Sequence, residues 1–63
     1  DIPEKKKKLR EILRSTLRSF GYEYLQDSVW VCPYDVEKET EKFLQDNSLD
    51  PYVRIFLIEE MSI

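Results

Sequence analysis

The sequence predicts an α+β fold with the element order α-β-β-α-β, and three observations support this prediction. Large apolar residues recur at spacings of three and four over residues 3–20, which is the period of an amphipathic helix. Two β-prone runs, residues 22–26 and 29–32, flank the short polar pair Asp27-Ser28. A second helical pattern then leads to another β-prone run over residues 52–59.

The first helix is predicted over residues 3–20. Pro3 suits the first helical turn, because its missing N–H has no partner to lose there. Gly21 follows directly, where a C-cap glycine is expected. The predicted inward stripe comprises Leu9, Ile12, Leu13, Thr16, Leu17 and Phe20.

A hairpin and a second helix follow. Asp27-Ser28 is predicted as a tight turn, and Pro33 ends the second strand because it cannot donate to a ladder. Asp35 is the predicted N-cap of the second helix. This helix is predicted to end near Asn47, and a loop over residues 47–51 follows. The predicted inward stripe of this helix comprises Val36, Thr40, Phe43 and Leu44.

Length and composition restrict the function classes. A chain of 63 residues is one domain, and one of this size buries only about 60% of the surface that its unfolded form exposes. It has no histidine, which excludes Ser-His and Cys-His catalytic pairs, and Cys32 alone can form neither an internal disulfide nor a thiolate zinc cage. Small secreted domains are usually rich in disulfides, so a cytoplasmic location is predicted. No apolar run approaches the ~20 residues of a membrane helix, so no membrane partner is expected.

The element order also predicts how the strands are arranged. Strands joined through helical crossovers usually share one sheet. One further strand ahead of Asp1 would give β-α-β-β-α-β, the ferredoxin-like arrangement, in which the first strand lies between the third and the fourth. We therefore expect residues 1–63 to form a single ferredoxin-like domain that is truncated at its N-terminus and lacks this first strand.

Both later strands are apolar on both faces, which predicts a partner for the sheet. Two helices cover one face of such a sheet. If water covered the other face, apolar and polar side chains should alternate along the strands. We expect the second face to meet a second copy of the chain, in a homodimer; the alternative is that the remainder of a longer protein covers it. The residues assigned to this dimer or sheet face are Trp30, Cys32, Phe56 and Ile58.

Charge is distributed unevenly. Residues 1–20 hold seven basic and three acidic side chains, whereas residues 21–63 hold three basic and ten acidic ones, for a net charge of −3. Lys7, Arg14 and Arg18 project opposite the apolar stripe of the first helix, flanked by Lys8 and Arg10. Such a row suits the phosphates of DNA or RNA. The alternative is a solvated helix face in which Glu11 forms local ion pairs.

The sequence resembles a Cas2-like domain over nearly its whole length. The resemblance lies in Asp1-Ile2-Pro3-Glu4, in Gly21-Tyr22 and in the run from Leu25 to Asp35, and its most specific part is G-x(4)-Q-x-S-V-W. Two groups share this domain. One is the CRISPR-associated protein two family of small dimeric nucleases and adaptation proteins. The other is the PaaX family of phenylacetate-degradation repressors, in which it follows a winged-helix DNA reader.

The two groups imply different functions. Trp30, Pro33 and Asp35 look more like the PaaX pattern, whereas Gln26, Ser28 and Val29 match the CRISPR pattern. Resemblance to PaaX implies a dimerisation and interaction domain of a nucleic-acid-associated transcriptional regulator, with an upstream winged helix, and we favour this interpretation. Resemblance to the CRISPR family implies a magnesium-dependent endonuclease or adaptation protein.

Asp1 is the one metal candidate. It matches the aspartate that ends the first strand of the CRISPR family, where two symmetry-related aspartates are proposed to hold a divalent metal, and its hard oxygen ligands would suit Mg²⁺. The alternative is that Asp1 caps the following helix through the helix dipole. No catalytic residue and no other cofactor is predicted.

Overall fold

The computed structural model describes residue 2 and residues 4–58, and the predicted order helix, hairpin, helix is confirmed within them. The predictions that concern Pro3 and Glu59 lie outside the described residues, as does the one that concerns Asp1. The elements are a short 3₁₀ turn at Glu4–Lys6, α1 at Lys7–Phe20, β1 at Glu23–Gln26, β2 at Val29–Val31 and α2 at Glu37–Asp46.

The α-helix α1 begins at Lys7, which is later than the sequence pattern predicts. Its first described turn is 3₁₀, Lys6 occupies the N-cap without a capping side-chain hydrogen bond, and the first α-helical turn holds no acidic residue. A helix N-terminus carries partial positive charge, so the lysines gathered there interact unfavourably with it. The basic start of the helix is therefore its weakest part.

Gly21 ends α1 in the left-handed conformation, as predicted. Its φ is 101°, and its N–H bonds to the carbonyl of Arg18 while the N–H of Tyr22 bonds to that of Leu17. A Cβ at this position would lie 2.6 Å from Cδ2 of Tyr34. Both the backbone angle and the contact with the Tyr34 ring therefore require glycine.

Within the described residues, five apolar side chains form the buried core. Leu13 and Leu17 come from α1 and Leu44 from α2, and Leu49 and Ile2 complete the cluster. Residues packed around it at half-burial include Leu9, Tyr22, Trp30, Phe43, Tyr52, Val53 and Ile55. The predicted stripe of α1 is confirmed at Leu13 and Leu17.

The prediction for Ile12 is wrong. Its side chain is 49% exposed, although its spacing fits the apolar stripe. Among the described residues, the buried side chains of α1 are Leu13 and Leu17, so the core contacts a narrow arc of this helix. Ile12 lies outside that arc.

The hairpin forms as predicted, with one irregularity. Tyr24 pairs with Trp30 and Glu23 with Val31, and the register shifts by one residue between Tyr24 and Gln26. Asp27 adopts a positive φ of 51°, which a short aspartate side chain tolerates in a turn. The bulge falls at Leu25 and tightens the twist of the hairpin.

The prediction that Asp35 caps α2 is wrong. Val36 occupies the N-cap without a side-chain bond, because a tight turn from the N–H of Val36 to the carbonyl of Tyr34 delays the helix by one residue. Glu37 and Glu39 lie in the first turn instead, where their charges favour the helix N-terminus.

A hydrogen bond links Thr40 of α2 to Tyr22, the second residue after α1. The hydroxyl of Thr40 donates to the carbonyl of Val36 at 2.7 Å, and the hydroxyl of Tyr22 lies 2.8 Å from the same Thr40 oxygen. Thr40 has only one hydroxyl hydrogen, so Tyr22 is the donor in the second bond. Thr40 is 1% exposed, and this bond satisfies it inside the core.

The final strand predicted over residues 52–59 does not pair in the described part of the chain. In the described part of the chain, Val53–Ile58 form no regular strand, and the hydrogen-bonded sheet contains only β1 and β2. Over residues 53–56 the exposure still alternates as in a strand, since Val53 and Ile55 are half-buried and Arg54 and Phe56 are exposed. The alternation ends at Leu57, which is 81% exposed. A strand needs a neighbour to supply its backbone bonds, and none of the described residues lies in that position. The ferredoxin-like arrangement is therefore seen in part.

No helix in the described part of the chain is long and apolar enough to cross a membrane.

Replacing Tyr22 with Phe should lower the free energy of unfolding by about 1 kcal/mol, because one partly buried hydrogen bond is lost. Thr40→Val should cost more, about 1–3 kcal/mol, since it also leaves the Tyr22 hydroxyl without its acceptor. Urea unfolding followed by the fluorescence of Trp30 measures both. Ser19→Ala, which removes an exposed hydroxyl bonded to Thr16, is the control and should change the free energy by less than about 0.5 kcal/mol. Equal stability of all three variants would contradict the assignment.

Gly21→Ala should destabilise the chain by more than about 1 kcal/mol, from backbone strain together with the clash against Tyr34. Adding Tyr34→Ala to this variant should restore only the steric part of the loss, because the strain at positive φ remains. A double-mutant cycle of unfolding free energies separates the two contributions. Simple additivity of the two substitutions would show that the Tyr34 ring does not constrain this position.

Candidate nucleic-acid and dimer interfaces

The predicted basic row lies on α1 and faces solvent. Lys7, Lys8, Arg14 and Arg18 are exposed, and Arg10 is half-buried. In the described part of the chain, Glu11 forms no ion pair with Lys7 or Arg14. The local pairing that would neutralise this face is therefore not seen.

A cleft of about 140 Å³ runs beside this row, between α1, the tip of the hairpin and residues 52–54. We call it the α1 cleft. Leu13 and Leu17 of α1, together with Trp30 and Val53, contribute its apolar lining. Ile2 also lines it.

Arginines cluster around the α1 cleft, and one of them was not predicted. Arg10 and Arg14 line it from α1, and Arg54 does so from the opposite side, with Asp27 as the acidic neighbour. The sequence did not single out Arg54, because this residue lies in an apolar run. A lone charge in that run, between Pro51 and Ile58, could have marked it as a candidate.

Arg18 continues this cluster onto the hairpin. Its guanidinium carbon lies 5.1 Å from the centre of the Trp30 ring, within cation–π range. Trp30 in turn meets Tyr24 edge to face, with ring centres 5.6 Å apart. The aromatic pair thus holds Arg18 at the junction between α1 and the sheet.

The opposite end of α1 is joined to the last segment through Lys6 and Tyr52. The Lys6 ammonium donates to the Tyr52 hydroxyl at 3.4 Å and lies 5.2 Å from the centre of its ring. Both contacts are at the surface, so they orient the start of residues 52–58 more than they stabilise it.

The four residues assigned to the dimer face divide into two pairs. Trp30 packs against the core, and the thiol of Cys32 donates to the Phe20 carbonyl at 3.8 Å, so both face the helices. Phe56 and Ile58 are 77% and 76% exposed. On β2 the outward side chains are Val29 and Val31, at 46% and 41% exposure.

The metal prediction rests on Asp1, which lies outside the described residues. Within residues 2 and 4–58, no group of three histidine, cysteine, aspartate or glutamate side chains could hold a metal ion. The magnesium role of Asp1 stays a prediction from the resemblance to the CRISPR family.

One comparison with known proteins bears on the choice between the two resembling groups. A family model described as the PaaX protein central Cas2-like domain matches residues 1–62. Searches of curated proteins and of solved structures give no match. The Cas2-like resemblance is confirmed, and the match does not favour the CRISPR alternative. Because it covers nearly the whole sequence, the chain belongs to the family of PaaX central Cas2-like domains.

Proposed function

We propose that this chain is the dimerisation and interaction domain of a PaaX-like transcriptional regulator that associates with nucleic acid. The observation that carries the proposal is the family match over residues 1–62. Exposed apolar side chains on the sheet support the dimerisation part of this role. The basic row on α1 supports the association with nucleic acid.

The apolar surface supports self-association. Val29 and Val31 project from β2 on the side away from the helices. In the last segment, three consecutive apolar side chains are exposed: Phe56, Leu57 and Ile58. Exposed apolar surface on a small domain favours burial against another surface. A second copy supplies an identical patch, which is how twofold interfaces form.

The basic row supports contact with nucleic acid. The exposed Lys7, Lys8, Arg14 and Arg18 lie on one helix, and Arg54 adds a fifth positive charge from the other side of the α1 cleft. Positive side chains that neutralise phosphates release counterions, and the resulting affinity falls as salt rises. The acidic remainder of the chain confines this attraction to α1.

Val31→Lys should weaken the dimer while preserving the hairpin. Lys at this position would face Glu23 across the strands, which favours the hairpin, but would place a charge in an apolar interface. We expect the dimer dissociation constant to rise at least about 10-fold. Sedimentation equilibrium measures it against the 7.6 kDa monomer mass. Gln45→Lys, on the exposed side of α2, adds the same charge and is the control. A monomeric wild-type chain at all concentrations would refute self-association.

Lys7→Gln combined with Arg14→Gln should reduce affinity for a short duplex DNA of mixed sequence. If both residues contact phosphates, the slope of log affinity against log salt concentration should become less steep by about 1.8. Fluorescence anisotropy across a salt series measures the slope. Lys38→Gln with Lys42→Gln, on α2, removes the same charge and should leave the slope unchanged. An affinity that does not depend on salt in the wild-type chain would exclude binding through this helix.

A further inference from the structure

We propose that a groove beside α2 is a docking site for the first helix of a second copy of this chain. Ile12 of that copy would be the apolar anchor, and Lys8 would be its charged neighbour. The groove has a volume of about 240 Å³, and we call it the α2 groove. Its lining residues are Glu41, Leu44, Gln45, Asp50, Val53 and Ile55. This inference does not depend on the regulatory role proposed above.

The α2 groove combines an apolar surface with two negative charges. Leu44 is buried and Val53 and Ile55 are half-buried, so an aliphatic side chain that enters the groove would exchange water for apolar contacts. Glu41 and Asp50 are exposed, and neither carboxylate forms an ion pair within the described residues. The groove therefore suits an apolar side chain that has a cation next to it.

Ile12 and Lys8 form such a pair on α1. Ile12 is exposed although it is a large apolar residue, and it is turned about 100° around the helix from the buried Leu13. Lys8 lies four residues earlier and therefore on the same face of the helix. Its side chain is exposed and forms no ion pair in the described part of the chain. The pair is thus available to a surface outside the core of its own molecule.

The occupant of the α2 groove must come from another molecule. Phe43 of α2 meets Phe20 of α1 edge to face, with ring centres 6.4 Å apart, so this side of α2 is turned toward α1. Glu41 precedes Phe43 by two residues and therefore projects from nearly the opposite side of the helix. Because α2 itself lies between them, Ile12 cannot reach the groove of its own chain.

Charge complementarity favours a second copy as that molecule. The helix α1 holds five basic side chains and one acidic side chain, whereas α2 holds four acidic and two basic ones. Opposite potentials on two surfaces promote their encounter and fix its orientation. A second copy that docks its α1 keeps its own groove open, so the contact joins two different surfaces and can extend beyond a dimer.

The test measures association by sedimentation equilibrium with every chain carrying Val31→Lys, so that failure of the twofold dimer and failure of this contact are distinguished. We expect the weight-average mass to rise past that of a dimer as the concentration increases. Lys8→Glu alone and Glu41→Lys alone should each raise the dissociation constant at least about 10-fold, because each brings like charges together. An equimolar mixture of these two variants should associate again. Glu39→Lys, the same change on the far side of α2, is the control and should have no effect.

Three results would overturn the proposal. One is a chain with Val31→Lys that stays monomeric at every concentration. Another is a pair of charge-reversed variants that fail to associate when mixed, since the exchange of signs should restore the contact. The third is an Ile12→Ser variant that associates as tightly as the chain that retains Ile12.

Discussion

The fold depends on the packing of α1 onto the segment around α2, since the sheet provides little stability of its own. Leu13 and Leu17 meet Leu44 and Leu49 in one buried cluster. An isolated two-stranded hairpin is at best marginally stable in water, so β1 and β2 must rest on this cluster to persist. The bond from Tyr22 to Thr40 fixes the start of the hairpin relative to α2. Changes in the leucine cluster would therefore reach the candidate interfaces as well as the core.

The same constraint explains why both candidate surfaces are positioned by α1. One arc of the helix forms the core, and the neighbouring arc carries Arg10 and Arg14 into the α1 cleft. Arg18, one turn further on, lies over Trp30 and so joins the basic row to the hairpin.

Local patterns predicted the parts of the fold that local forces determine. The helix period located α1, Gly21 marked its end, and Asp27-Ser28 located the turn, because each depends on a few neighbouring residues. The N-cap of α2 depended on how Tyr34 and Val36 bond, which residue type alone does not reveal. The sheet failed to complete because strand pairing is non-local and requires a neighbour that the described residues do not supply.

The type of candidate site could be predicted from the sequence, but not all of the residues that form it. Helical spacing placed Lys7, Arg14 and Arg18 on one exposed face, and the structure agrees. Arg54 enters the site through tertiary folding, which brings residues far apart in sequence to one cleft. For the dimer face, the alternation of side chains along the strand predicted that Trp30 and Cys32 share one side. It did not predict which side the helices cover. The packing of Trp30 on the core and the bond from Cys32 to Phe20 place that side toward α1.

The two parts of the proposed role are positioned by the same contact between helix and sheet. Trp30 packs on the core from one side of β2, while Val29 and Val31 project from the other side. Arg18 of the basic row lies 5.1 Å from the centre of the Trp30 ring, so α1 and β2 meet at this point. Because side chains of a strand alternate between its faces, the exposed valines and the basic row lie on opposite sides of the hairpin. A second copy packed on Val29 and Val31 would therefore leave the basic row open to nucleic acid.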